Sequence, residues 1–293
     1  MQKLVDKEII AKQMSSRIIR NQMFKGLFFL STLFGLLVLG VLFYRIITQG
    51  IGYIDLDFFQ NFASRRPENA GIKAAFIGTI WLMVVVAPVS LILGVGTAIY
   101  LEEYAKKNKF TSFIKLNISN LAGVPSIVFG LLGLTIFVRA LALERSVLAA
   151  GLTMSLLVLP VIIVASQEAI RSVPKELREA SFAMGATKWQ TVLKVVLPAA
   201  IPGILTGGIL ALSRAIGETA PLIVIGIPMF VAFLPKTIMD TFTVLPMQIY
   251  NWTSRPQTEF QDVAAAGILV MLVLLILMNS IAVFIRNHFQ KRY

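Results

Sequence analysis

Apolar residues along this chain come in long unbroken runs. Six stretches lack Asp, Glu, Lys and Arg for 19 residues or more: 26–44, 74–101, 116–138, 146–167, 195–213 and 263–285. About 20 apolar residues wound as an α-helix cross the ~30 Å hydrocarbon layer of a bilayer. Each run therefore predicts a membrane-spanning helix, the fifth carried on to residue 216. A seventh run, 219–235, has only 17 residues and holds Pro221, Pro228 and Pro235. It is predicted as a re-entrant piece of an outer loop region, 219–262, because irregular backbone at membrane depth must be buried in protein or line a wet cavity. The pattern as a whole predicts an all-α integral membrane protein with six transmembrane helices in a single domain, 26–293. A segment over 1–25 precedes it, in which Ile9, Ile10, Gln13, Met14, Arg17, Ile18 and Ile19 recur at helical spacing, as in a helix lying on the inner membrane surface. The first apolar run exceeds a secretory h-region and is expected to stay as an uncleaved anchor.

Composition agrees with the pattern. Of 293 residues, 57% are hydrophobic and 14% charged, whereas about 25% charge is usual for a water-facing fold. The net charge of +12 raises nucleic acid as a partner, but its distribution gives a simpler account. With six crossings, 18 Lys and Arg fall on the side of the two termini and 8 on the other, a net +11 against +1. That is the positive-inside bias, with both termini cytoplasmic and no nucleic acid required. Seven crossings would export the basic tail. The chain has no cysteine and one histidine, His288, which excludes disulfides, thiol nucleophiles and an imidazole metal cluster. No phosphate-binding G-x-x-x-x-G-K-[ST] loop and no Ser, His and Asp arrangement is present. Neither enzymatic chemistry nor a cofactor or metal is expected of this chain.

The polar inner loop, 168–198, is both charged and orderly. Pro174 opens a helix, Glu176 and Glu179 favour its positive end, and Gly185 supplies a left-handed residue to stop it. Leu177, Ala180, Ser181 and Met184 form an apolar stripe; a second amphipathic stretch, Trp189, Val192, Leu193 and Val196, runs into Pro198. Two short helices hinged at a glycine could dock on a partner or simply stabilise their own bundle. The residues Glu179, Ala180, Ser181, Gly185, Val195, Leu197 and Pro198 stand at the spacing Glu-Ala-Ala, three residues, Gly, nine residues, aliphatic, one residue, Leu-Pro. This resembles the EAA loop of ABC-importer permeases, with Ser181 in place of the third-position alanine. The resemblance implies a type I ABC-importer permease fold whose loop sits in a cleft of a separate ATP-hydrolysing subunit.

The other informative stretch is "LSRAIGETAPLIVIGIP". Arg214 lies 16 residues beyond Pro198, roughly 24 Å along a helix, and Glu218 is one turn further on. Ionisable groups at that depth are costly and face a bundle interior or a wet cavity. They are either a structural ion pair, or a guanidinium fork offered to an oxyanion with Glu218 orienting it. Gly217 and Pro221 argue for a helix break at which freed backbone groups also face the solute. The stretch "SRAIGETAPLIVIG", together with "LPMQIYNWTSRPQTEFQDVAAAGILVM", is similar to the A-type permease subunits of high-affinity phosphate (Pst) uptake systems. The similarity covers most of 70–293. It implies transport of inorganic phosphate through a pore shared with a homologous second permease subunit, two copies of an ATP-binding subunit, and an extracytoplasmic phosphate-binding protein, all around a bacterial or archaeal cytoplasmic membrane. Arg214, Glu218 and Thr219 would then line the substrate pathway. Alternatives are a permease for molybdate or sulfate, a secondary transporter driven by an ion gradient, and a regulatory membrane protein without flux.

Weaker features are the G-x-x-x-G pair Gly203 and Gly207, read as close helix packing or a heterodimer seam, and Gly123 with Pro125, read as a kink in the third span. Asn117 and Asn120 are candidates for bonds between helices, and Tyr250 and Trp252 for an outer aromatic belt.

Overall fold

The computed structural model describes residues 7–289, with side chains placed for Met14 and for 17–287. Ile9, Ile10, Gln13 and His288 lie outside those side chains. The chain forms two compact units, residues up to 49 and 50–293.

The first unit is a single helix, α1 (Lys7–Gly50), whose 44 residues extend roughly 66 Å. From residue 7 onward the basic segment runs into the first apolar run as one uninterrupted helix, with no boundary at residue 25. Its side chains from Arg17 to Arg45 are all exposed, and over the apolar run they are hydrophobic on every face, as expected of a helix solvated by lipid.

The regular structure of the second unit is helical among the described residues, apart from an isolated antiparallel bridge between Ser146 and Thr241. Its axis is α6 (Val147–Arg171). The apolar stretch of α6 is 67% buried, against 39% for α3 (Lys73–Ile99) and 6% for α12 (Glu259–Phe289), so α6 forms the core and the others its sheath. α3 and α9 (Leu197–Gly217) pack along it. The G-x-x-x-G spacing explains the second contact: Gly203 and Gly207 lie directly over Ala169 and Ala165, where a Cβ would meet the alanine methyls. The small residues therefore serve packing within the chain.

Among the described residues, five helices are long and apolar enough to cross a membrane, six when one bent pair counts as a single span. That pair corrects the kinked third span expected over 116–138. α4 (Lys109–Leu121) and α5 (Ser126–Gly133, continuing as a wide π turn to Ala140) meet at 104°. Pro125 cannot continue a helix and biases Val124 out of the helical region, so the chain breaks and does not bend gently. Asn117 donates to the carbonyl of Phe113 on its own helix at 2.8 Å, so its side chain is spent within α4 and does not tie that helix to another.

At the N-terminal end of α6, Ser146 accepts from the amide of Ala149 at 3.2 Å, and the carbonyls of Asp240 and Ile238 accept from those of Val147 and Leu148 at 3.1 and 2.8 Å. Three first-turn donors that a helix leaves unpaired are met this way. A second cluster joins Phe58 of α2 (Leu56–Gln60), Trp252 of α11 (Leu245–Thr253) and Phe260 of α12. Trp252 is fully buried there, which removes it from the expected aromatic belt; Tyr250 is exposed.

Candidate functional site

At the C-terminal end of α6 the inner loop folds as α7 (Lys175–Ala183) and α8 (Lys188–Thr191). α7 ends in a complete glycine cap. Gly185 has φ +81°, its amide donates to the carbonyl of Phe182 at 2.9 Å, and that of Ala186 to Ser181 at 3.2 Å, the paired bonds that close a helix through a left-handed residue. Thr187 then starts α8 with a capping box, its hydroxyl accepting from the Gln190 amide while the Gln190 side chain accepts from Thr187.

One expectation changes. α8 is not a free-standing second helix: it continues through a π turn, Val192–Val196, into α9. Pro198 directly follows this π turn, in which the amide of Leu197 reaches back five residues to the carbonyl of Val192; the proline has no N–H with which to continue the pattern. The knob is thus a short helix, α7, pinned by a glycine turn to the root of a membrane helix.

Glu179 and Ala180 are exposed, Ser181 is half-buried, and Gly185 is open, with no atom within 4 Å of where a Cβ would stand. Val195, Leu197 and Pro198 are half-buried at the root of α9. Ser181 has a partner that an alanine would lack: its hydroxyl lies 2.9 Å from that of the buried Thr191, joining α7 to α8. Around the hinge the apolar side chains project outward. Met184 is 88% exposed and Trp189 61%, with Phe182 and Leu193 also exposed, while Val192 and Val196 point into the bundle. Large apolar side chains thrust out of a charged loop mark a docking surface. Beside them a recess of about 530 Å³ opens between the end of α3 and α7, lined by Glu103, Lys107, Lys175, Arg178, Glu179 and Phe182.

Sequence patterns alone do not reveal the ionic framework beneath this knob. α3 ends in a π turn, Tyr100–Tyr104, that carries Glu102 and Glu103. Glu102 accepts a fork from Arg171 at 2.6 and 2.9 Å and the ammonium of Lys115 at 2.7 Å. Glu103 accepts from Arg178 at 3.0 Å. Arg178 also donates to the carbonyls of Val173 and Ile170 at 2.6 and 2.8 Å, so it caps the C-terminus of α6 as well. The only hint in the sequence is that opposite charges gather at neighbouring helix ends.

Arg214, Glu218 and Thr219 sit where a helix break was expected. α9 ends at Gly217, Glu218 is extended, and α10 (Ala220–Ile225) begins after Thr219. Thr219 is half-buried and its carbonyl accepts from Leu222 and Ile223. The ion pair is loose. Arg214 Nε stands 3.9 Å from Glu218 Oε2, beyond hydrogen-bonding distance, and the guanidinium side chain is 58% exposed. Among the described residues Arg214 has no hydrogen-bond partner, so its donors are available to a ligand. Next to it, Ser213 bonds Asn279 of α12 at 2.5 Å, and α10 packs on α5, where Gly130 lies against Pro221 and Val224. The short helix beyond the break is thus seated on the half-span that follows the 104° bend.

Residues 90–293 match the model of the family described as binding-protein-dependent transport system inner membrane component. The chain belongs to that family. This permease component is accordingly a multi-pass protein of the inner membrane and not an enzyme. It is 34% identical over 281 residues to the phosphate transport system permease protein PstA 1 of Mycobacterium tuberculosis, covering 92% of this chain and 90% of that one. It is 36% identical over 208 residues to the probable ABC transporter permease protein YqgI of Bacillus subtilis, covering 71% of each. Among solved structures, a chain of a bacterial ABC transporter involved in the import of the acidic polysaccharide alginate superposes with a TM-score of 0.64 at 14% identity, covering 95% of this permease component and 100% of that chain. A chain of the MetNI methionine ABC transporter in an inward-facing conformation gives 0.60 at 17%, covering 75% and 96%. These likenesses establish the ABC-importer permease fold.

Proposed function

We propose that this permease component imports inorganic phosphate, as one half of a translocation pathway completed by a homologous second permease. Two copies of an ATP-binding subunit grip α7 from the cytoplasm, and an extracytoplasmic phosphate-binding protein delivers the anion to the opposite end. Both termini are then cytoplasmic, in keeping with the charge bias of +11 against +1. The observation that carries the coupling role is the apolar knob: Met184, Trp189 and Phe182 project from a charged loop at the end of the bundle opposite the Asp240 turn. Glu179, Ala180, Ser181 and Gly185 form the handle, and Val195, Leu197 and Pro198 root it in α9.

For the substrate, support comes from the similarity over nine-tenths of the chain to proteins named as phosphate permeases. Arg214 supplies matching chemistry, a half-exposed guanidinium whose fork fits two oxygens of an oxyanion. Its position on an uncovered face of α9 suits a pathway that only a second subunit closes. Glu218, 3.9 Å away, holds the guanidinium in place or accepts a proton from a protonated phosphate.

Uptake into proteoliposomes holding the co-expressed assembly tests the reading. ATP-dependent accumulation of radiolabelled phosphate, unaffected by excess sulfate or molybdate, is expected. Competition by either anion would reassign the substrate, and uptake that outlasts ATP depletion under an ion gradient would replace the mechanism.

A further inference from the structure

α7 is held to its bundle by few contacts: the glycine turn into α8, Leu177 packed against the apolar cluster of Ala169, Ile170 and Val196, and the bonds made by Ser181 and Arg178. The peptide joining it to α6 is the three residues Ser172, Val173 and Pro174. Most of its side chains face outward, and Ser181 bonds only to Thr191 at the root of α9. Among the described residues, Arg178 is the one side chain of α7 that hydrogen-bonds to α3 or to the end of α6. Its fork meets Glu103 on the π turn of α3 and, at the same time, the carbonyls of Ile170 and Val173. Both partners are shielded, with Arg178 18% and Glu103 12% exposed. Such a pair exchanges little of its attraction for water, and a planar fork over three fixed acceptors leaves α7 few directions in which to pivot.

The neighbouring acid completes the connection. Consecutive residues on a helix diverge, so Glu102 points away from Arg178 and takes Arg171 at the end of α6 and Lys115 on α4. Two adjacent carboxylates on one turn therefore tie three elements, α4, α6 and α7, to the end of α3. α3 and α6 behind them are closely fitted, with Gly151 against Val85 and Gly94 against Ile162. α4 leads through the 104° break to α5, which carries α10 and the break beside Arg214.

We propose that Glu102 and Glu103 are positioning residues that transmit movement of α7 to α3 and α4, so that the ATPase stroke reaches the substrate pathway. The proposal rests on the coupling role given above to α7. Without the Arg178–Glu103 link, an attached ATPase would still move α9 through the glycine turn and the Ser181–Thr191 bond, while α3 and α4 lagged. Docking and hydrolysis would continue, and transport would not keep pace.

The test uses the complete assembly in proteoliposomes and measures ATP hydrolysed per phosphate imported. Glu103→Gln, which keeps shape and loses charge, should raise that ratio at least about twofold, the lower end of coupling between directly bonded groups. ATPase co-purification should stay at the wild-type level. Glu103→Asp keeps the charge and should recover part of the coupling. Arg178→Lys keeps its charge as well, but its three donors share one nitrogen and cannot reach acceptors spread along a planar fork, and it should resemble Glu103→Gln. As a second readout, a cysteine at the far end of α3 (Lys73→Cys, in a chain with no native cysteine) is labelled with and without ATP. Any ATP-dependent change in its labelling rate should vanish with Glu103→Gln. An unchanged ratio in Glu103→Gln overturns the proposal. So does a parallel fall of hydrolysis, transport and assembly, which would make the link a clamp for folding alone. If the wild-type assembly shows no ATP-driven uptake, the failure lies instead with the coupling role of α7.

Discussion

Gly185 offers the sharpest test of the docking loop, because its structure separates two effects that glycine substitutions usually confound. A Cβ built on Gly185 meets no atom within 4 Å, yet its φ is +81°. Space is therefore not the constraint; backbone handedness is. An ordinary L-residue in the left-handed region loses about 1–2 kcal/mol, and Asn less, since its side chain bonds locally to the backbone. If the free loop relaxes when strained and docking demands the native turn, the whole penalty falls on association. Binding of the purified ATP-binding subunit then weakens roughly 5- to 30-fold in Gly185→Ala, since 1–2 kcal/mol corresponds to that factor. Asn is larger than Ala but better suited to the conformation, so Gly185→Asn should bind between wild type and Gly185→Ala. Affinity measured against the permease pair in nanodiscs gives the order directly. A steric account predicts the reverse, with Asn worse than Ala. That order, or an Ala variant equal to wild type, would refute the claim that the loop is read through the geometry of its glycine cap.

Arg214→Ala should reduce phosphate uptake at least tenfold while leaving assembly intact, because the guanidinium is half-exposed and 3.9 Å from its neighbour; Arg214→Lys, which keeps charge and loses the fork, should recover only part, and full uptake in either variant would return the pair to a structural role. Ser181→Ala strands the hydroxyl of Thr191, buried at 1% exposure, and should lower thermal stability by about 1–3 kcal/mol, while the double variant Ser181→Ala/Thr191→Val should regain most of it. At the opposite end, the amides of Lys236 and Thr237 and the Thr237 hydroxyl hold the Asp240 carboxyl below the usual carboxylate range. A depressed pKa in the folded state means that stabilisation is fully present above the unfolded value near ~3.9 and fades as pH falls through the lowered one. Hydrogen exchange at Lys236, Thr237, Val147 and Leu148, corrected for intrinsic rates, should thus be constant from neutrality to about pH 4 and rise only below; a rise already between pH 6 and 5 would contradict it.

Much of the membrane architecture was legible because hydropathy is a one-dimensional property. A run of apolar residues is visible wherever its contacts lie, and Gly185 and Pro174 act within a few residues of themselves. The same locality explains the break at Gly217 and Pro221. It also explains why the third span was misjudged: Gly123 and Pro125 announce an interruption, but its angle, 104°, depends on what α4 and α5 each pack against. Trp252 was misplaced for a related reason. A tryptophan near a predicted interface belongs in an aromatic belt unless Phe58 and Phe260 close over it, and those lie 194 and 8 residues away.

The ionic framework was the least legible part and matters most to the mechanism. Arg171 meets Glu102 across 69 positions, and Arg178 meets Glu103 across 75; neither separation has a period or a motif. In a single sequence these charges count only toward the inward bias, and that count would be unchanged if every one of them faced water. What distinguishes them is shielding: Glu102 and Glu103 are 11% and 12% exposed. A carboxylate removed from water without a partner would neutralise, so two adjacent ones on a single turn are tenable only if cations reach both sides of it. Lys115 and Arg171 serve one side and Arg178 the other. The three basic residues come from α4, α6 and α7, so pairing two largely shielded charges brings three helices together on the end of a fourth. The electrostatics of that turn thus dictates a mechanical junction, and it sits directly under the loop that an ATP-driven partner would pull.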